Sequence, residues 1–217
     1  MKLTIVNGSP RGRKSNSDRI LQWLLADIKD VPNVSCEKVY VVDIKERQKE
    51  IEILNVSDSI VVIYPLYIDC MPGITKEYFE YMENNKMILE GKAIMFIVHS
   101  GFPEAIQSRA VEKYNEYLAR LLKMDYIGTI IMGGSEALSS APDNYFKKKV
   151  IAFNAIGKSI IQNNPLKAEH KDIIAKPELL SGYVLFIMKH FSINNFFWNS
   201  KLKKNNAFEK RFDKPYK

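Results

Sequence analysis

The chain has 217 residues, 46% of them hydrophobic and 26% charged, a balance that fits one large globular domain and excludes a disordered, collagenous or disulfide-stapled chain. Its net charge of +7 sits mostly in the tail: residues 189–217 carry eight Lys and Arg against Glu209 and Asp213, leaving +1 on the other 188 residues. That argues against a nucleic-acid groove on the body. No apolar run reaches the roughly 18–20 residues that cross a bilayer, since the best candidate, Leu179 to Met188, is stopped by Lys189 and His190. Met1 to Thr4 lead straight into an apolar strand with none of the parts of a signal peptide, so a cytoplasmic location is expected. Cys36 and Cys70 lie far apart and outside any C-x-x-C, so they assemble neither a disulfide framework nor a cysteine-based metal centre.

In chain order, Lys2 to Asn7 reads as a short buried strand, and Gly8 to Gly12 as a loop of turn formers. Ser15 to Asp18 supply N-cap candidates for a helix whose apolar positions Ile20, Leu21, Leu24, Leu25 and Ile28 recur at helical spacing. Val34 to Val42 is the second strand, Lys45 to Glu52 a charged helix, and Ser59 to Tyr64 a fully apolar third strand ended by Pro65. Helical spacing returns through Tyr78, Phe79 and Met82. Ala93 to Val98 is the fourth strand, Pro103 to Lys123 a helix, Tyr126 to Met132 the fifth strand, and Tyr145 to Gln162 a further helix. Strands alternating with helices imply parallel pairing through crossovers, and apolar runs imply a sheet covered on both faces. The expected class is therefore three-layer α/β, a doubly wound parallel five-stranded sheet in the flavodoxin-like order 2-1-3-4-5. Residues 1–162 form this domain. The polar stretch from Asn163 to Pro177 reads as a linker to a C-terminal helical extension, making 163–217 a second region.

In such a sheet, ligands bind beyond the carboxyl ends of the strands where the strand order reverses, here between the first and third strands. The loop after the first strand gathers Ser9, Arg11, Ser15, Asn16 and Ser17 in front of a helix N-terminus, the donor set of a phosphate site. It is not a Walker A loop, because an Arg separates Gly12 from Lys14 and the spacing is one residue short; Pro10 removes the G-x-G-x-x-G fingerprint. A mononucleotide phosphate remains. Pro65, Leu66 and Tyr67, after the third strand, suit the face of a flat ring, with Tyr67 equally open to a packing role. His99, Ser100, Gly101 and Phe102, after the fourth strand, could meet the edge of the same ring through their backbone N–H groups.

Asn7 to Arg11 with Ser15 to Ser17, Pro65 to Tyr67 with Pro72-Gly73, and Ser100 to Glu104 resemble the successive flavin-contact loops of flavodoxin-fold NAD(P)H-dependent FMN reductases, over about residues 1–162. The resemblance implies FMN as cofactor and NAD(P)H as co-substrate. It places Ser9, Arg11, Ser15, Asn16 and Ser17 on the phosphate, Pro65 to Tyr67 on the ribityl and isoalloxazine, and His99 to Phe102 on the ring edge. The basic pair Arg13-Lys14 departs from the pattern. The lack of a cysteine cluster excludes the iron–sulfur branch.

Flavin carries its own hydride chemistry, so no catalytic side chain and no metal is expected, and the absence of a triad is consistent. Ser135 in Gly133 to Ala137 lacks the closing glycine of a nucleophile elbow. The expected reaction passes hydride from NAD(P)H through FMN to a small acceptor, a quinone, nitro or azo compound or free flavin, with ping-pong kinetics. The alternative is a flavodoxin-type electron carrier, which would need a strongly charged partner surface on a body that is near neutral. The C-terminal extension carries nine of the 24 aromatic residues, from Tyr183 to Tyr216. Leu179, Leu180, Tyr183, Val184, Ile187, Met188 and Phe191 recur at helical spacing, so a helix with one buried face is expected, packed on the body or in a homodimer. A solvated tail and a membrane or nucleic-acid arm are the other readings of the same residues.

Overall fold

The computed structural model describes residues 1–85, 89–190 and 193–214. It divides into two compact units, Met1–Leu179 and Leu180–Lys217.

The first unit is built on five parallel strands, β1 (Lys2–Asn7), β2 (Ser35–Tyr40), β3 (Ser59–Pro65), β4 (Ala93–His99) and β5 (Asp125–Met132), in the order β2-β1-β3-β4-β5. Fold class and strand order are therefore as expected. Side chains that alternate along each strand feed two separate cores. Leu3, Ile5, Val61, Ile63, Met95 and Ile97 face one side, where they meet Ile20, Leu21 and Leu24 of α1 (Asn16–Leu25) and Phe153 and Ile156 of α5 (Lys147–Ile161). Val6, Val62, Tyr64, Phe96 and Val98 face the other side. There they meet Leu54 of α2 (Arg47–Asn55), Tyr78, Phe79 and Met82 of α3 (Gly73–Asn84), and Val111 and Ala119 of α4 (Ala110–Leu121).

Two expectations change. The helix predicted to open at Pro103 begins as a short 3-10 turn over Ala105–Ser108, and α4 proper starts at Ala110. The polar stretch predicted as a linker folds: α6 (Ala168–Ala175) packs on α5 and β5 and buries Ile174 and Ala175, so the first unit runs on through Leu179. Ile173, Ile174 and Ala175 are too short an apolar run to show as a periodic helix in the sequence.

In the second unit α7 (Gly182–His190) and α8 (Ile193–Lys204) contact one another. The predicted helix is present, but α7 has no buried residue, with Tyr183, Leu185 and Phe186 all more than half exposed. Phe191, the end of the predicted periodicity, lies outside the described residues. The guanidinium of Arg211 stacks 3.9 Å from the ring centroid of Phe208 and donates to its carbonyl oxygen.

In the first unit α1 packs closely against α5. A Cβ at Gly157 would stand 2.3 Å from the carbonyl oxygen of Leu24, an overlap with backbone that no rotamer relieves. Gly157→Ala should destabilise the protein by about 1–3 kcal/mol, the range for overpacking a filled core, whereas Gly73→Ala, with nothing within 4 Å, should leave the urea midpoint unchanged or raised. Equal midpoints for the two variants would disprove the close approach.

Candidate functional site at the strand-order reversal

β1 ends in Asn7, whose fully buried side chain organises the loop that follows. Its Oδ1 accepts the Ser9 N–H at 3.0 Å, while Nδ2 donates to the Gly12 carbonyl at 3.3 Å and to Ser15 Oγ at 3.2 Å. Gly8 lies against α3, where a Cβ would come 2.8 Å from Thr75 Oγ1, and Thr75 donates its hydroxyl to the Gly8 carbonyl. Gly12 is left-handed at φ +51°, a conformation that costs glycine little.

The loop closes on α1 through Ser15. Its Oγ accepts the Asp18 N–H at 3.1 Å, an N-cap, and its own proton goes to the Gly12 carbonyl at 2.6 Å. Ser9 uses its hydroxyl oxygen to accept the Arg11 N–H at 3.3 Å, which leaves the hydroxyl proton available. Of the basic pair Arg13-Lys14, Arg13 turns elsewhere: it forms a bidentate pair with Asp43 at 3.0 and 2.7 Å, and its guanidinium lies 4.1 Å from the Tyr40 ring centroid.

The loops after β1, β4 and β5 are joined through one buried imidazole. His99 Nε2 lies 2.8 Å from Ser17 Oγ, and Nδ1 lies 2.9 Å from Ser135 Oγ, which itself reaches the Ser100 carbonyl at 2.9 Å. Burial pushes the His99 pKa down to about 3, so the ring is neutral near pH 7 and carries one proton. The Ser135 hydroxyl donates to a carbonyl, so it must accept from Nδ1–H. Nε2 then accepts the Ser17 proton. Every proton in the chain from Ser17 through His99 and Ser135 to the Ser100 carbonyl has one assigned place.

These elements surround a recess of about 90 Å³ lined by Ser9, Arg11, Ser15, Asn16, Pro65, Leu66, Tyr67, His99, Ser100, Gly101, Ser135 and Glu136. Ten of the twelve residues singled out in the sequence meet there. Ser17 and Phe102 do not: Ser17 is buried with its proton committed to His99, and Phe102 is 61% exposed, contributing its carbonyl to the Gly134 N–H at 2.6 Å. Asn16 Nδ2 donates to the Ser135 carbonyl at 2.7 Å, so one of its side-chain donors is also used internally. At the rim, Tyr67 and Cys70 pair across a tight turn whose central residues, Ile68 and Asp69, have φ of +44° and +58°. A β-branched residue at such a φ is strained, and Ile68 is also almost fully exposed.

Sequence reasoning missed Ser135, considered only as a failed nucleophile, and Glu136. The available signal was a polar pair directly after the Gly133-Gly134 turn at the end of the last strand. Gly134 is left-handed at φ +69° and a Cβ on Gly133 would lie 2.7 Å from the Pro103 carbonyl oxygen, so both glycines are required by the backbone. Among the described residues no cluster of three or more His, Cys, Asp or Glu is placed to hold a metal ion, and no helix is long and apolar enough to cross a membrane.

The buried neutral His99 makes a testable pH dependence. Its pKa falls from 6.5 to about 3 on folding, so between those values the unfolded chain binds the extra proton. This contribution to stability is complete above pH 6.5 and declines as the pH falls towards 3, by up to about 1.4 kcal/mol per pH unit. Urea midpoints from pH 7 to 4 should show a steeper decline for the wild type than for His99→Asn. Parallel declines would refute the buried neutral ring.

The sequence matches the model of a family described as having a flavodoxin-like fold over residues 1–153. No curated protein matches it. Among solved structures, an NADPH-quinone reductase from P. pentosaceus is 21% identical, with 72% of this chain and 97% of that chain covered and a TM-score of 0.53. An NADH:FMN oxidoreductase in its apo form is 16% identical over 81% of this chain and 96% of that one, with a TM-score of 0.56. An FMN-dependent NADH-azoreductase from Bacillus anthracis, in complex with FMN, is 16% identical over 73% and 98%, with a TM-score of 0.54. With its strand order and the family match in agreement, the chain belongs to the family with the flavodoxin-like fold.

Proposed function

We propose that this protein is an FMN-dependent oxidoreductase that takes hydride from NAD(P)H and delivers it to a small acceptor, a quinone, nitro or azo compound or free flavin. The observation that carries the reading is the convergence of the loops after β1, β3 and β4 on one recess at the strand-order reversal. Its volume, about 90 Å³, is roughly that of three waters, enough for a phosphate group. The residues present fit FMN. The Ser9 proton, the Arg11 guanidinium and the first-turn amides of α1 would hold the phosphate. Pro65, Leu66 and Tyr67 would wall the ring, with Gly101, which has nothing within 4 Å of a Cβ position, leaving its edge accessible.

Bound FMN supplies the hydride chemistry, and the protein's part is to bind and orient. Ser15 and Ser17 act indirectly: the first caps α1 and the second fixes His99. His99 keeps the loops after β1, β4 and β5 at a constant spacing without placing a charge beside the ring. The names of the structural relatives, an NADPH-quinone reductase and an FMN-dependent NADH-azoreductase, support the same class. We further infer a cytoplasmic homodimer in which the exposed apolar face of α7 forms part of the subunit contact.

Titration with FMN tests the cofactor assignment. Removing two charge-assisted hydrogen bonds in Ser9→Ala/Arg11→Ala should weaken FMN binding by about 3 kcal/mol or more, with riboflavin, which lacks the phosphate, unaffected. Equal losses for both ligands would move the phosphate elsewhere. NAD(P)H oxidation by the FMN-loaded protein with a quinone then separates an enzyme from an electron carrier, which would bind FMN and not turn over. For the dimer, Leu185→Glu/Phe186→Glu should halve the mass measured by light scattering; an unchanged mass would exclude α7 from the contact.

A further inference from the structure

The loop after β5 has two sides. Its backbone is locked to the loop after β4 by the Gly134 N–H on the Phe102 carbonyl at 2.6 Å and the Ser135 N–H on the Ser100 carbonyl at 2.8 Å. Ser135 and Glu136 line the small recess. Gly133, Gly134 and Pro103, on the same two loops, line a separate groove of about 960 Å³. That volume lies in the range of small-molecule sites, far larger than the recess.

The groove combines two kinds of surface. Tyr145 and Ile151, 74% and 58% exposed, give it apolar walls together with Ile173 and Pro177. Lys147, Lys148, Lys149 and Lys176 give it four cations, and no Asp or Glu among the described residues lines it. Lys149 is held in the wall by the carbonyls of Ile174 and Lys176. Lys147, Lys148 and Lys176 are exposed and, among the described residues, are in no ion pair. Asp143, next to the groove in sequence, is already bound to Arg19 and to the Trp23 indole N–H. Four lysines without a counter-charge are a strong local field on a body whose charge is near zero.

We propose that this groove binds an aromatic anion, a planar apolar body bearing a phosphate or sulfonate, as the recognition subsite for a substrate of the flavin site. The proposal rests on the oxidoreductase reading. Aromatic faces such as Tyr145 hold the planar body, and the three unpaired ammonium groups recognise the anion. Two sources share this chemistry: the phosphorylated adenosine end of a nicotinamide dinucleotide and an anionic electron acceptor.

Calorimetric titration of the full chain with adenosine 2′,5′-bisphosphate and with anthraquinone-2-sulfonate separates the sources. At least one should bind, more weakly as salt rises, and Lys147→Ala/Lys148→Ala/Lys176→Ala should lower its affinity about tenfold or more. Tyr145→Ala should lower it as well, with unphosphorylated adenosine showing no dependence on the lysines. Binding of the bisphosphate alone identifies the dinucleotide, and of the sulfonate alone the acceptor. Absence of binding by both, or binding that the lysine variant leaves intact, overturns the proposal. FMN titration of the same triple variant should be unchanged, so loss of the anion with FMN affinity intact isolates the groove. A wild type that binds the anion and not FMN would sink the flavin reading while leaving the groove standing.

Discussion

The site depends on a buried imidazole that never needs to change its charge. Three loops leave the carboxyl ends of β1, β4 and β5, and a parallel sheet fixes only where those strands end. His99, at the end of β4, supplies the missing constraint because it can donate at Nδ1 and accept at Nε2 in one rigid plane. Ser17 at the start of α1 and Ser135 after β5 take the two ends. A protonated ring would put a second donor against the Ser17 oxygen and a charge in a dry core, which is why burial holds it neutral. The cost of breaking this chain includes the buried Ser17 proton, which would lose its acceptor, so its stabilising effect on loop geometry exceeds that of one ordinary hydrogen bond.

Much of this architecture was legible in the sequence for a simple reason. Apolar runs such as Ser59 to Tyr64 and Ala93 to Val98 are buried on both faces, and alternate side chains serve two cores, so hydrophobic pattern and topology coincide. The loops were legible because turn formers and hydroxyl residues concentrate at strand ends. What could not be read was where each hydroxyl proton goes. Ser9, Ser15 and Ser17 look alike as a phosphate set, yet Ser15 spends its proton on the Gly12 carbonyl and Ser17 on His99. That division is decided by Asn7 and His99, residues 8 and 82 positions away from Ser15 and Ser17. Local composition carries no record of it.

Charge shows the same limit of averaging. Summed along the chain, the body is nearly neutral and the tail basic. Folding sorts those charges differently: Arg13 is consumed by Asp43, Arg19 by Asp143 and Arg109 by Glu112 and Glu178. The start of α5 and the end of α6 bring together lysines from positions 147–149 and 176 without any of these acids. Net charge bounded long-range attraction to a polyanion. It could not exclude a local site for a small anion, because a small ligand samples only the field within about a Debye length of roughly 8–10 Å.

The two concavities share a wall, and that wall has little freedom. Gly133 has no room for a Cβ beside the Pro103 carbonyl, Gly134 occupies the left-handed region, and the next amide is bound to Ser100. Ser135 then carries the constraint into the His99 chain. A displacement of the β5 loop towards the groove would therefore have to break the Gly134 and Ser135 backbone bonds together with the imidazole contact. Such a wall acts as a fixed spacer: a ligand anchored on the lysine side is held at one constant distance from the recess. Orientation at a reacting ring requires this kind of rigidity, since a misplacement of about 1 Å can cost on the order of a hundredfold in rate.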